Sequence, residues 1–147
     1  MEGTANRVSV KTFLFLVCFF AALPFALSQD GPAQAIRLNN LGVAYMNQAR
    51  INEALDSFRQ ALQRNSSLFA ARLNEGIALV QAQRLAEGRD ALLDATRRQP
   101  GNARAWYNLG LAYRTLGESD SAIDAFEHVA EIDPNDADTL YFLGQLH

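Results

Sequence analysis

Among the side chains able to do chemistry, His128 comes first, with Asp124 four positions before it. A carboxylate placed so can orient an imidazole as a general base. The same spacing also describes a solvated i,i+4 contact on a helix, worth about 0.2–0.5 kcal/mol. The solvated contact is the expected one, because no serine has a histidine partner in a recognisable arrangement and the only other histidine is His147. Glu53, Asp56, Glu87, Asp90, Asp94, Glu118, Asp120 and Asp124 are numerous, but their regular recurrence fits solvated faces better than paired general acids. Gly42, Gly76, Gly110 and Gly144 lie within apolar patterns and mark packing positions, not a phosphate cradle. Asn65-Ser66-Ser67 fits a glycan acceptor, yet it falls where a helix has to be capped, and the cap is the expected role. The sole cysteine, Cys18, leaves no means of building a zinc, iron–sulfur, disulfide or thiol-nucleophile site beyond residue 18. No catalytic residue, metal or cofactor is expected, and the chain is not expected to be an enzyme.

The elements that hold these residues read as helices behind an apolar leader. The chain has 147 residues, 16 acidic and 13 basic, for a formal charge of -3. A mildly acidic chain with scattered arginines lacks the electrostatic footprint of a nucleic-acid binder. Residues 12–23 are apolar almost without interruption, preceded by Arg7 and Lys11 and followed by Pro24 and Ala26-Leu27-Ser28. A positive end, a short apolar core and small residues at a cut are the layout of a secretory signal. Cleavage after Ser28 is expected, with export to a periplasmic or secreted location. The run is short of the roughly 20 residues of a bilayer span, so a retained signal-anchor, with the remainder outside the cytoplasm, is the alternative. Membrane contact is expected only in that case. Residues 29–34 read as a short linker.

From residue 35 the chain repeats at an offset of 34. Leu41-Gly42-Val43-Ala44-Tyr45 returns as Leu109-Gly110-Leu111-Ala112-Tyr113, with Gly76 midway and Leu143-Gly144 opening a further copy. Ala54, Phe58 and Ala61 match Ala122, Phe126 and Val129, while the middle copy offers Gly88, Leu92 and Ala95. Asn40, Asn74 and Asn108 keep the register, as do Pro100 and Pro134. In the third copy Trp106, Leu109, Tyr113 and Leu116 make one apolar stripe at helical spacing. Ile123, Phe126, Val129 and Ala130 make another after the break at Leu116-Gly117-Glu118. Two such helices bury their stripes against each other and leave apolar flanks that neighbouring copies must cover. Asn102 is expected to cap the first helix, Ser119 or Asp120 the second and Asp136 the next. The residue before Pro134 is poorly helical, so the second helix ends there.

This pattern resembles the tetratricopeptide repeat. The resemblance implies an all-α fold, an α-solenoid of antiparallel helix hairpins forming a right-handed ribbon. Its units are residues 35–68, 69–102 and 103–136, with 137–147 as the first helix of an incomplete fourth. The middle unit departs most, having Arg72 and Glu75 where apolar residues are wanted and Gly88 in place of alanine. Leu41, Gly42, Tyr45, Ala54, Phe58, Gly76, Trp106, Leu109, Gly110, Tyr113, Ala122, Phe126 and Pro134 are the implied packing positions.

In that family the first helices line a concave groove that takes an extended peptide or a helix. The matching groove positions are Ile36, Asn39, Val43, Met46 and Asn47, then Ala70, Leu73, Ile77, Val80 and Gln81, then Arg104, Tyr107, Leu111, Arg114 and Thr115. Leu73, Ile77 and Leu111 read equally well as packing against adjacent helices. Chaperone-binding members clamp a partner's C-terminal carboxylate with lysine and asparagine in the first unit. Here Asn39 and Val43 stand at those places, and the only lysine is Lys11, which argues against that clamp. The implied function is a noncatalytic interaction or scaffold module. Its implied partner is a protein or peptide with an apolar segment and a carboxylate near Arg104 and Arg114, and neither nucleic acid nor a small-molecule substrate is expected. The alternative is a recruitment array at the front of a longer exported or membrane-anchored protein.

Overall fold

The computed structural model describes residues 31–146. The expected export segment at 1–28 lies outside the described residues. Seven helices follow one another: α1 (31–47), α2 (Ile51–Arg64), α3 (Phe69–Gln81), α4 (Leu85–Arg98), α5 (Ala103–Leu116), α6 (Ser119–Ile132) and α7 (Ala137–Leu146). They form three antiparallel hairpins, α1–α2, α3–α4 and α5–α6, with α7 packed on α6. Residues 31–34, expected as linker, are helical instead. Ala33 and Ala35 favour the helix, Pro32 costs little in a first turn, and Ala35 is fully buried.

The 34-residue period shows in the backbone bonds. Within each hairpin the turn is closed by the same pair: Ala49 N–H donates to Met46 and Arg50 N–H to Tyr45, as do Gln83 to Val80, Arg84 to Leu79, Gly117 to Arg114 and Glu118 to Tyr113. The residue at the bend is left-handed every time, with φ of 57° at Ala49, 61° at Gln83 and 78° at Gly117. Such a residue at a helix C-terminus satisfies carbonyls that have no intrahelical donor. Between hairpins, Asn65, Gln99 and Asp133 N–H donate to Ala61, Ala95 and Val129 in turn. Asp133 is extended, as the residue before Pro134 must be.

Packing follows the same phase. A Cβ built on Gly110 would lie 2.8 Å from the Phe126 ring, one on Gly76 2.8 Å from Leu92, and one on Gly42 closer still to Phe58. Glycine therefore lets each second helix seat its largest apolar side chain against the axis of the first. Phe58, Leu92 and Phe126 are fully buried as a result.

Some of the expected packing and capping positions behave otherwise. Leu41 is 44% exposed although its counterpart Leu109 is buried against Leu92 and Ala95 of the preceding hairpin. Among the described residues no hairpin precedes Leu41. Pro134 is exposed and acts by ending α6, not by packing. Ser119 and Asp120 lie inside the first turn of α6, whose N-cap is Glu118 without a side-chain bond. Asn102 does cap α5, accepting from Ala105 N–H at 3.0 Å, and Asp136 accepts from Thr139 N–H at 2.7 Å. Asn65 closes the α2–α3 turn, its Oδ1 accepting from Ser67 N–H at 3.1 Å and Ser67 Oγ at 2.7 Å.

Arg72 and Glu75 explain how the middle unit tolerates charge at apolar positions. Arg72 Nη1 donates to Glu75 at 3.1 Å, and Arg59 from α2 lies 3.7 Å from the same carboxylate. The two departures from the pattern compensate each other.

Candidate functional site: the face of the first helices

The odd-numbered helices present like positions on one side of the array, and a side-chain ladder runs across them. Asn74 on α3 donates to Asn39 on α1 at 3.0 Å and accepts a long bond of 3.4 Å from Arg104 on α5. Asn39 and Asn74 are buried, so their amides need these partners. Asn108 holds the same phase as Asn74 but donates to the Arg104 carbonyl at 2.8 Å.

Two clefts flank this ladder. One, of about 150 Å³, lies between α3 and α5 and is lined by Ile77, Val80, Gln81, Leu92, Asn108 and Leu111. The other, of about 260 Å³, lies between α5 and α7, with Arg104, Tyr107 and Val129 meeting Asp136 and Asp138. Burial raises the Tyr107 hydroxyl above its ordinary value of 10.0, and Asp138 and Asp136 push the same way while Arg114 opposes. The Arg114 guanidinium stands 4.1 Å over the Phe142 ring, which stacks on Phe126 at 5.2 Å. A cation on an aromatic face is held without losing its charge.

The structure brings Ile77, Val80, Gln81 and Leu111 together in the first cleft and Arg104 and Tyr107 in the second. Val43 and Met46 are half-buried against the α2 core residues Ala54, Leu55 and Phe58. Ile36, Asn47, Ala70 and Thr115 are exposed. Leu73 does not belong to an open face. It is 3% exposed and packs with Leu92, Ala95 and Leu109, because it points between the first helix of its unit and its neighbours. Asn108, Asp136, Asp138 and Phe142 were not expected at the site. The register of Asn40, Asn74 and Asn108 was visible, but it marked the phase and nothing in it announced a ladder.

The chemistry expected to be idle is engaged otherwise. His128 lies 3.4 Å from Glu131, not Asp124, and stacks on Trp106 at 4.1 Å. Trp106 reaches past it to donate to the Pro100 carbonyl at 2.7 Å. The carboxylates on α2 and α4 pair with arginines: Glu53 with Arg50, Glu87 with Arg84, Asp90 with Arg89, and Asp94 with Arg98. Glu118 pairs with Arg89 across units at 3.2 Å. Among the described residues no group of three or more His, Cys, Asp or Glu is placed to hold a metal ion, and no helix is long and apolar enough to cross a membrane.

By architecture this is a helical-repeat solenoid, in which equivalent helices of successive units build one continuous face. Residues 35–68 and 73–137 match models of the tetratricopeptide repeat. The chain belongs to the tetratricopeptide repeat family. It is 31% identical over 111 residues to the chloroplastic tetratricopeptide repeat domain-containing protein PYG7 of Arabidopsis thaliana, covering 73% of this chain and 37% of that protein. Among solved structures it is similar to the first such domain of Spaghetti (RPAP3) bound to an HSP90 peptide, with a TM-score of 0.76 at 20% identity over 78% of this chain and 91% of the other. MamA is similar with a TM-score of 0.74 at 27% identity, over 82% of this chain and 71% of the other.

Proposed function

We propose that the chain is a noncatalytic interaction module that binds a peptide or helical segment along the face of its first helices. One observation carries this reading. Among the described residues, Arg104 and Arg114 are both exposed on this face, and neither lies within ion-pair distance of a carboxylate, as is also true of Arg37, Arg64 and Arg97 elsewhere. Beside Arg104 and Arg114 lies an apolar cleft walled by Ile77 and Leu111. An apolar segment with a carboxylate at one end satisfies both features. A solved structure of the same fold with a bound HSP90 peptide supports a peptide as the ligand. The absence of lysine beyond Lys11 argues against the carboxylate clamp that the resemblance associates with chaperone-binding members of the family. Export to a periplasmic or secreted location is part of the proposal, supported by the layered pattern of residues 1–28.

Selection from a random peptide display library tests the reading. Enrichment of peptides with apolar residues next to Asp or Glu is expected. Arg114→Ala is expected to weaken the selected peptides by about 0.5–3 kcal/mol, and Arg104→Ala to act in the same direction. Selected peptides without acidic residues, or affinities that neither substitution changes, would remove the assignment.

A further inference from the structure

The cleft between α5 and α7 differs in kind from the one between α3 and α5. The latter has no charged residue in its lining. The former, of about 260 Å³, sets Tyr107, Ala103 and the buried Val129 beside Asp136 and Asp138. Among the described residues neither aspartate has an ion-pair partner. Asp136 gives one oxygen to the Thr139 N–H at 2.7 Å and keeps the other free, while Asp138 is exposed in the first turn of α7. Arg104 lines the same cavity, but its guanidinium reaches Asn74 on α3, on the other side of α5.

The charge at this cavity is negative and uncompensated. Residues 119–146 contain seven Asp and Glu and no Lys or Arg. With Asp133 in the same turn, three full charges exceed the roughly half charge of the α7 N-terminus. Their field reaches inward, since burial first, and then Asp138 and Asp136, hold the Tyr107 hydroxyl above its ordinary value. An anion is repelled there. A neutral apolar side chain would desolvate the carboxylates without pairing them. Two carboxylates with no third ligand do not make a metal site. A lysine or arginine side chain fits both parts of the cavity, its stem lying on apolar surface while its head stays charged.

We propose that the α5–α7 cavity is a specificity pocket for one basic side chain of the bound peptide, with the stem against Tyr107 and Val129 and the cation beside Asp136 and Asp138. The proposal rests on the peptide-binding reading of this face and adds to it. A carboxylate drawn to Arg104 or Arg114 and a cation held at Asp138 are two fixed points on one ligand, so they set the direction in which it lies. The partner segment then carries an apolar residue, an acid and a base, and a purely acidic segment is disfavoured.

The test uses peptides selected on the whole chain from the random library, resynthesised with an acetylated N-terminus so that side chains are the only cations, and titrated by fluorescence anisotropy. Lys or Arg is expected in the selected peptides at one position relative to the acid. Asp138→Asn leaves the Asp136 cap in place and is expected to weaken such a peptide by roughly three- to tenfold. Replacing the peptide's base with methionine is expected to cost the same factor, after which Asp138→Asn has no further effect. Asp138→Lys is expected to remove the preference for a base on reselection. Selected peptides that lack a base, or that bind Asp138→Asn as tightly as the parent, overturn the pocket and leave the peptide-binding reading standing. Equal weakening of base-containing and base-free peptides by Asp138→Asn overturns it too. Failure to select any peptide overturns both.

Discussion

Asn74 donates its side-chain amide to Asn39 at 3.0 Å across 35 residues of sequence, tying the first helix of one hairpin to that of the next. Both side chains are buried, and Arg104 leans on the same amide from α5. A buried amide left without its partner costs about 1–3 kcal/mol. Asn74→Ala is therefore expected to lower stability by about that amount in chemical denaturation. Replacing both residues, Asn39→Leu with Asn74→Leu, is expected to cost less than the sum of the single changes, since neither partner is then stranded. Full additivity would show that the bond contributes nothing.

Gly88→Ala decides how closely α3 and α4 approach. Helix propensity alone favours the alanine by about 0.5–1 kcal/mol. The added Cβ, however, would lie 2.7 Å from the Val80 side chain, 3.0 Å from the Val80 nitrogen and 3.1 Å from the Gly76 carbonyl. A side chain can turn aside, but backbone on both contacts cannot. The unfolding midpoint is expected to fall, with a net loss of about 1–3 kcal/mol typical of overpacking. Gly144→Ala, where space is open, is expected to raise it by about 0.5–1 kcal/mol. Equal responses at the two glycines would contradict the close approach.

Ala49, Gln83 and Gly117 occupy the bend of each hairpin with positive φ, yet only the third unit uses glycine. A left-handed non-glycine residue costs about 1–2 kcal/mol, part of which glycine gives back through its freer unfolded chain. Ala49→Gly and Gln83→Gly are each expected to stabilise by up to about 1 kcal/mol, and Gly117→Ala to destabilise by about the same. Calorimetric midpoints of the three variants check the ordering.

The hairpins and their register were legible because close packing at glycine and a bulky apolar residue recur every 34 positions, and those requirements act on residue type directly. Gly42, Gly76, Gly110 and their partners Phe58, Leu92 and Phe126 carry that signal. The site was legible only in part. Ile77 and Leu111 line a cleft as their phase implies, but Leu73, one turn before Ile77, turns into the core because phase alone does not say how far a neighbouring helix has closed over it. The Asn39–Asn74–Arg104 ladder escaped because its members sit at three different phases. The His128 partner was misassigned since both Asp124 and Glu131 are within helical reach, and Trp106 stacking on the imidazole was not in the spacing at all.

Arg72 and Glu75 carry the last prediction. They replace apolar residues between hairpins, and their side chains remain only 27% and 12% exposed. Arg72 bonds Glu75 at 3.1 Å, while its Nε stays 3.4 Å from Asp94, buried and without a properly directed hydrogen bond. Glu75 retains only Arg59 at 3.7 Å besides. Removing one member leaves a largely buried charge poorly paired, which typically costs about 3–5 kcal/mol when burial is complete and less at this exposure. Arg72→Leu is expected to cost more than Glu75→Leu, because the stranded carboxylate is the more buried of the two and Arg72 is its shortest contact. The double replacement restores the apolar pattern of the first unit at 38 and 41, and is expected to match or exceed the parent in stability. A double-mutant cycle by urea denaturation checks this, with a favourable coupling of about 1–3 kcal/mol expected for neighbours of this kind. A double variant less stable than either single one would mean that the pair fixes the α3–α4 geometry itself.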